Sequence, residues 1–129
     1  GKANCLKEGT KVAVVSNGTI GNIVTQALDN LNYPSTIAHY DFPFVKPLDE
    51  ALLHTIFSKF ETIITIEDGV ISGGFGSAIL EFAAANNYHS IIQLLGIPNE
   101  FIEQGTVLEL QQYCKIDVLS LEKVFSQYL

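Results

Sequence analysis

Three short runs of β-branched and aliphatic residues, Lys11 to Ser16 (KVAVVS), Thr62 to Ile66 (TIITI) and Ser90 to Leu95 (SIIQLL), are separated by stretches whose apolar residues recur at helical spacing. TIITI carries no polar face, so both of its sides have to be covered, as in a parallel sheet held between two helix layers. The segment after KVAVVS turns at Asn17-Gly18, and Thr19 to Leu31 then places Ile20, Ile23, Val24, Ala27, Leu28 and Leu31 on one helical stripe. Tyr33-Pro34 ends that helix, and Ser35 to Tyr40 supplies another strand. A stiff stretch from Asp41 to Pro47 leads into a helix that opens at Pro47-Leu48-Asp49 and runs to about Phe60. Glu67 to Gly76 reads as a glycine-rich loop, and Ser77 to Asn86 as a helix that Asn86-Asn87 stops. Two short terminal helices are predicted at Thr106 to Tyr113, where Thr106-x-x-Glu109 fits a capping box, and at Ser120 to Tyr128.

This order predicts a three-layer α/β/α fold with right-handed crossovers. Its mostly parallel sheet has about five strands: four core strands and one short antiparallel edge strand around Cys5 to Glu8. The length of 129 residues suits one domain over 1–129. With 47% apolar and 16% charged residues, the chain can bury enough surface to offset its ordering entropy. The absence of Met suggests a piece of a longer protein.

Charge excludes several function classes. The net charge is −7, all seven basic residues are Lys, and they are scattered from Lys2 to Lys123. Nucleic-acid binding needs clustered cations, so no nucleic-acid partner is expected. Without Arg the chain also lacks the bidentate clamp commonly used on a substrate phosphate or carboxylate. Cys5 and Cys114 form neither a Cys-x-x-Cys pair nor a disulfide framework. No apolar run approaches bilayer length, and no signal peptide opens the sequence, which together suggest a cytoplasmic setting and no membrane.

In a doubly wound sheet, ligands sit beyond the carboxyl ends of the strands where the winding reverses. The candidate crevice or interface is therefore Ser16, Asn17, Gly18 and Thr19, together with Glu67, Asp68, Gly73, Gly74 and Gly76. Both loops lead into helix N-termini, whose free N–H groups favour an anion. Gly18-x-x-Gly21 lacks the dinucleotide order and no phosphate-loop pattern occurs, so the glycines are read as serving turns and close helix packing. Of Gly73, Gly74 and Gly76, at least one is expected at positive φ or at a close helix-to-sheet approach. Glu67 and Asp68 point to opposite sides of a strand and cannot flank one substrate bond. Glu67 is read as a carboxylate bonded to backbone N–H groups. His39, His54 and His89 lack metal-ligand spacing, and no Ser-His-Asp or Cys-His set can be assigned. No catalytic, cofactor-binding or metal residue is expected in this chain.

Val45-Lys46-Pro47-Leu48-Asp49, Ile66-Glu67-Asp68-Gly69 with Gly73-Gly74-Phe75-Gly76-Ser77, and Leu95-Gly96-Ile97-Pro98-Asn99 with Glu103-Gln104-Gly105-Thr106 follow one another in an order that resembles a single family. It is similar to the C-terminal domain of 1-deoxy-D-xylulose-5-phosphate synthases, within the transketolase superfamily. Asp68 stands where a second Glu is common, and Asn99 where Asp is usual. The resemblance implies a transketolase C-terminal domain-like fold. It further implies a full-length transferase that condenses pyruvate with glyceraldehyde 3-phosphate and releases carbon dioxide, in isoprenoid precursor, thiamine and pyridoxol biosynthesis. Thiamine diphosphate and Mg²⁺ would belong to the preceding domains, and this domain would act as a scaffold on those domains and a homodimer partner. Transketolases and 2-oxo acid dehydrogenase beta subunits end in a similar domain and remain alternatives, as does an independent module binding a small anion or nucleotide.

Overall fold

The computed structural model describes residues 2–70, 74–97 and 114–129. In chain order the elements are β1 (Asn4–Lys7), β2 (Val12–Asn17), α1 (Ile20–Asn30), β3 (Ile37–Asp41), α2 (Glu50–Lys59), β4 (Thr62–Val70), α3 (Phe75–Ala85), β5 (Ile91–Ile97) and α4 (Val118–Ser126). The strands form one sheet in the order β1-β3-β2-β4-β5. β3, β2, β4 and β5 run parallel, and β1 is the antiparallel edge, with Asn4 opposite Asp41.

Side-chain alternation along the strands sorts the core into two layers. Ala13, Val15, Ala38, Tyr40 and Ile63 face one side, where they pack with Leu53, Ile56 and Phe57 of α2 and Phe75, Ile79 and Phe82 of α3. Val12, Val14, Ile37, Ile64 and Ile66 face the other, against Ile20, Val24, Ala27 and Leu28 of α1 and Leu121 and Phe125 of α4. Every residue from Val12 to Ser16 is buried, because β2 is central and both of its faces are covered.

The structure differs from the sequence reading at element ends. Glu67 to Val70 is extended and belongs to β4, since the strand is carried past Ile66 by pairing of Val70 with Ile97 across a register irregularity. Helix α3 begins at Phe75, two residues before the expected start. Helix α4 begins at Val118 because Asp117 caps it, accepting the Ser120 N–H at 3.4 Å. The Thr106 to Tyr113 helix lies outside the described residues.

Candidate functional site

The winding reverses at β2, with β3 on one side and β4 on the other, so a crevice opens above the carboxyl ends of β2 and β4. Asn17 and Glu67 are register partners there. Gly18 has φ +97°, a conformation that makes the turn out of β2 possible and that L side chains rarely adopt. The Asn17 side-chain amide donates to the Phe42 carbonyl at 2.7 Å, tying this turn to the chain leaving β3. Ser16 is buried, its Oγ 2.8 Å from Nε2 of His39, which is itself 1% exposed. Burial pushes the His39 imidazole down to about 4, so at neutral pH it is an uncharged partner.

Neither helix that starts at the crevice carries its own side-chain cap. Thr19, the N-cap of α1, makes no cap bond, and Gly74, the N-cap of α3, has no side chain to offer. The orphaned donors of both helices are met instead by adjacent carboxylates on β4. Asp68 faces α1: its Oδ2 accepts the Thr19 hydroxyl at 2.8 Å and the Ile20 N–H at 3.2 Å. Glu67 faces α3: Oε1 accepts the Phe75 N–H at 2.9 Å and Oε2 the Gly76 N–H at 2.8 Å.

Glu67 is 2% exposed, and burial lifts its carboxyl above the ordinary range although the two N–H bonds pull the other way. Gly76 makes this cap possible. A Cβ there would lie 2.6 Å from Leu94 Cδ2, 2.9 Å from Thr65 Oγ1 and 3.0 Å from Glu67 Oε2, so any larger residue would force these side chains or α3 to shift.

The sequence-predicted set therefore separates into two groups. Ser16, Asn17, Gly18 and Thr19 gather with Asp68 on the α1 side, whereas Glu67, Gly74 and Gly76 gather on the α3 side. Gly73 lies outside the described residues. Gly74 has φ −94°, and among the described glycines the positive φ is at Gly18. Sequence reasoning missed the capping role of Asp68 and the Ser16–His39 pair. No local signal marked either one: Thr19 is by residue type a good N-cap, and both pairings join residues distant in sequence.

Chemically, the arrangement is a poor anion site. The first-turn N–H groups of Ile20, Phe75 and Gly76 are already bonded to carboxylates, and those of Gly21 and Asn22 to the Gly18 and Thr19 carbonyls. An incoming phosphate would meet Glu67, Asp68 and, beside the first turn of α1, Asp41. Nor do these residues fit a thiamine-diphosphate metal site. Glu67 and Asp68 diverge to opposite faces, while Asn86 lies at the far end of α3 and bonds its Nδ2 to the Phe82 carbonyl at 2.9 Å. Among the described residues no group of three His, Cys, Asp or Glu side chains is placed to hold a metal. None of the described helices is long and apolar enough to cross a membrane.

Comparison with known proteins adds the family. The model of the transketolase C-terminal domain matches residues 1–121. The chain belongs to that family. It is 48% identical over 124 residues to a 1-deoxy-D-xylulose-5-phosphate synthase of Parabacteroides distasonis, covering 95% of this chain and 20% of the relative. The corresponding enzyme of Bacteroides thetaiotaomicron is 49% identical over 125 residues, covering 95% of this chain and 19% of the relative. The chain thus spans about a fifth of the length of the curated relatives it matches.

Among solved structures, a split-gene transketolase described as an inactive beta4 tetramer superposes with TM-score 0.81 at 22% identity, over 99% of this chain and 41% of that one. The transketolase of Campylobacter jejuni gives 0.67 at 16% identity, over 97% and 18%. These two likenesses concern the fold.

Proposed function

We propose that this chain is the C-terminal domain of a 1-deoxy-D-xylulose-5-phosphate synthase and that its work is structural. The carrying observation is that Glu67 and Asp68 occupy the helix N-terminal donors which a small anion or nucleotide would otherwise use. That disfavours the independent binding module. The named relatives, about five times longer than this chain, favour a synthase over a transketolase or a 2-oxo acid dehydrogenase beta subunit. In this reading the complete cytoplasmic enzyme condenses pyruvate with glyceraldehyde 3-phosphate and releases carbon dioxide. Thiamine diphosphate and Mg²⁺ are held by preceding domains, and this domain packs on those domains within a homodimer.

Isothermal titration of the 129-residue chain with thiamine diphosphate, nucleotides and phosphate esters tests the reading, together with an assay of pyruvate decarboxylation. The expected result is neither binding heat nor turnover. Saturable binding of any of these ligands, or carbon dioxide release by the pure chain, would overturn it.

A further inference from the structure

Helix α3 and the segment leaving β3 leave a groove of about 380 Å³ between them, lined on its apolar side by Val45, Pro47, Leu48, Ala78, Phe82 and Ala85. Lys46, Glu50, Glu81 and Asn86, all exposed, complete its lining. Next to it in sequence, Phe44 stands 56% exposed, an aromatic ring left in water beside an apolar concavity.

The path of the chain indicates what covers this surface. The matched family is a C-terminal domain and the relatives are about five times longer, so in them the rest of the polypeptide lies on the N-terminal side. In this structure the N-terminal residues come in beside the groove. The Ala3 N–H donates to Oδ2 of Asp49 at 3.0 Å, while Oδ1 of the same carboxylate accepts the Leu52 N–H at 3.1 Å and caps α2. These two bonds hold the Asp49 carboxyl below its ordinary range, the Ala3 bond being the larger cause. Ala3 packs against the same core cluster as Val45 and Leu48. One carboxylate thus fixes the incoming chain to the helix whose first residue, Glu50, lines the groove.

The geometry points to this groove, with Phe44, as the seat of an apolar segment from the part of the same polypeptide that precedes this domain. The inference rests on the reading of the chain as a closing domain and adds the surface through which it docks. The lining supports a mostly apolar segment, because most of its residues are apolar and its one ammonium and two carboxylates are on exposed side chains.

Hydroxyl-radical footprinting read by mass spectrometry, comparing the 129-residue chain with the complete polypeptide from its open reading frame, tests it. Phe44, Pro47 and Leu48 should be protected several-fold in the complete polypeptide, while the exposed Leu119 and Ile91 serve as references. Ala85→Glu in the complete polypeptide should abolish that protection. Ala84→Glu, at a neighbouring exposed alanine that does not line the groove, should leave it intact. Protection confined to other surfaces would overturn the groove while leaving the closing-domain reading standing. An open reading frame that ends with this chain alone, or no protection anywhere, would remove both. Protection already present in the 129-residue chain and lost on dilution would assign the groove to a second copy and overturn the proposal.

Discussion

Glu67 and Asp68 perform the same task on neighbouring helices, yet their amide variants should behave differently. Glu67 uses one oxygen for the Phe75 N–H and the other for the Gly76 N–H. In Glu67→Gln one of those oxygens becomes an NH₂ group facing a donor, so a buried N–H is orphaned at a cost of about 1–3 kcal/mol. The helix also loses an anion at its positive end, a further contribution of up to about 2 kcal/mol in a partly buried geometry. Relief of the desolvated charge, visible in the raised carboxyl of Glu67, offsets part of this. A net destabilisation of about 2 kcal/mol is expected. Among the described residues, Asp68 bonds α1 through Oδ2 alone. The amide oxygen of Asp68→Asn can accept both of those bonds, and the loss should be about 0.5 kcal/mol. Urea unfolding of the two variants and the parent distinguishes them, with a midpoint lowered by about 1 M for Glu67→Gln and barely moved for Asp68→Asn. Equal shifts, or a neutral Glu67→Gln, would refute the claim that two-oxygen capping at α3 is what the carboxylate supplies.

Gly76→Ala should cost about 1–3 kcal/mol in the same assay, since the added methyl lies within 3.0 Å of Leu94, Thr65 and Glu67 atoms; unchanged stability would show that α3 can shift without penalty. Gly18→Ala should cost at least about 1 kcal/mol, because φ +97° is strained for any L side chain and its Cβ would sit 2.6 Å from Asp68 Oδ2. His39 is held down to about 4 by burial, below its unfolded value of 6.5, so the unfolded chain binds the proton first as pH falls. The stability from keeping His39 neutral is therefore complete above about pH 6.5 and lost on the way down to pH 4, on the order of 3 kcal/mol at about 1.4 kcal/mol per unit. Glu67, raised in the fold, opposes this, because its ionisation costs stability as pH rises from the ordinary carboxylate range to its folded value. NMR titration of the folded chain checks the histidine: an imidazole midpoint near 6.5 would contradict the burial argument.

The sequence by itself determined the layering. TIITI, apolar on both parities, required helices on both faces, and the stripe from Ile20 to Leu31 required one of them to be α1. Adjacency on an extended strand also meant that Glu67 and Asp68 would face opposite ways, which the two caps display. A local cap did not by itself make a helix start legible: Asp49 fell within the predicted opening of its helix, whereas the equally local Asp117 was passed over for Ser120. Only the tertiary structure decided which helix each carboxylate of β4 would meet. Thr19 and Asp68 are 49 residues apart, and their bond depends on β4 lying beside β2, as does the placing of Glu67 under a helix whose Gly76 leaves no Cβ in the way. Periodicity is a property of each segment alone and survives in the sequence. Strand order and helix approach arise from how the segments bury one another, and no single segment records them.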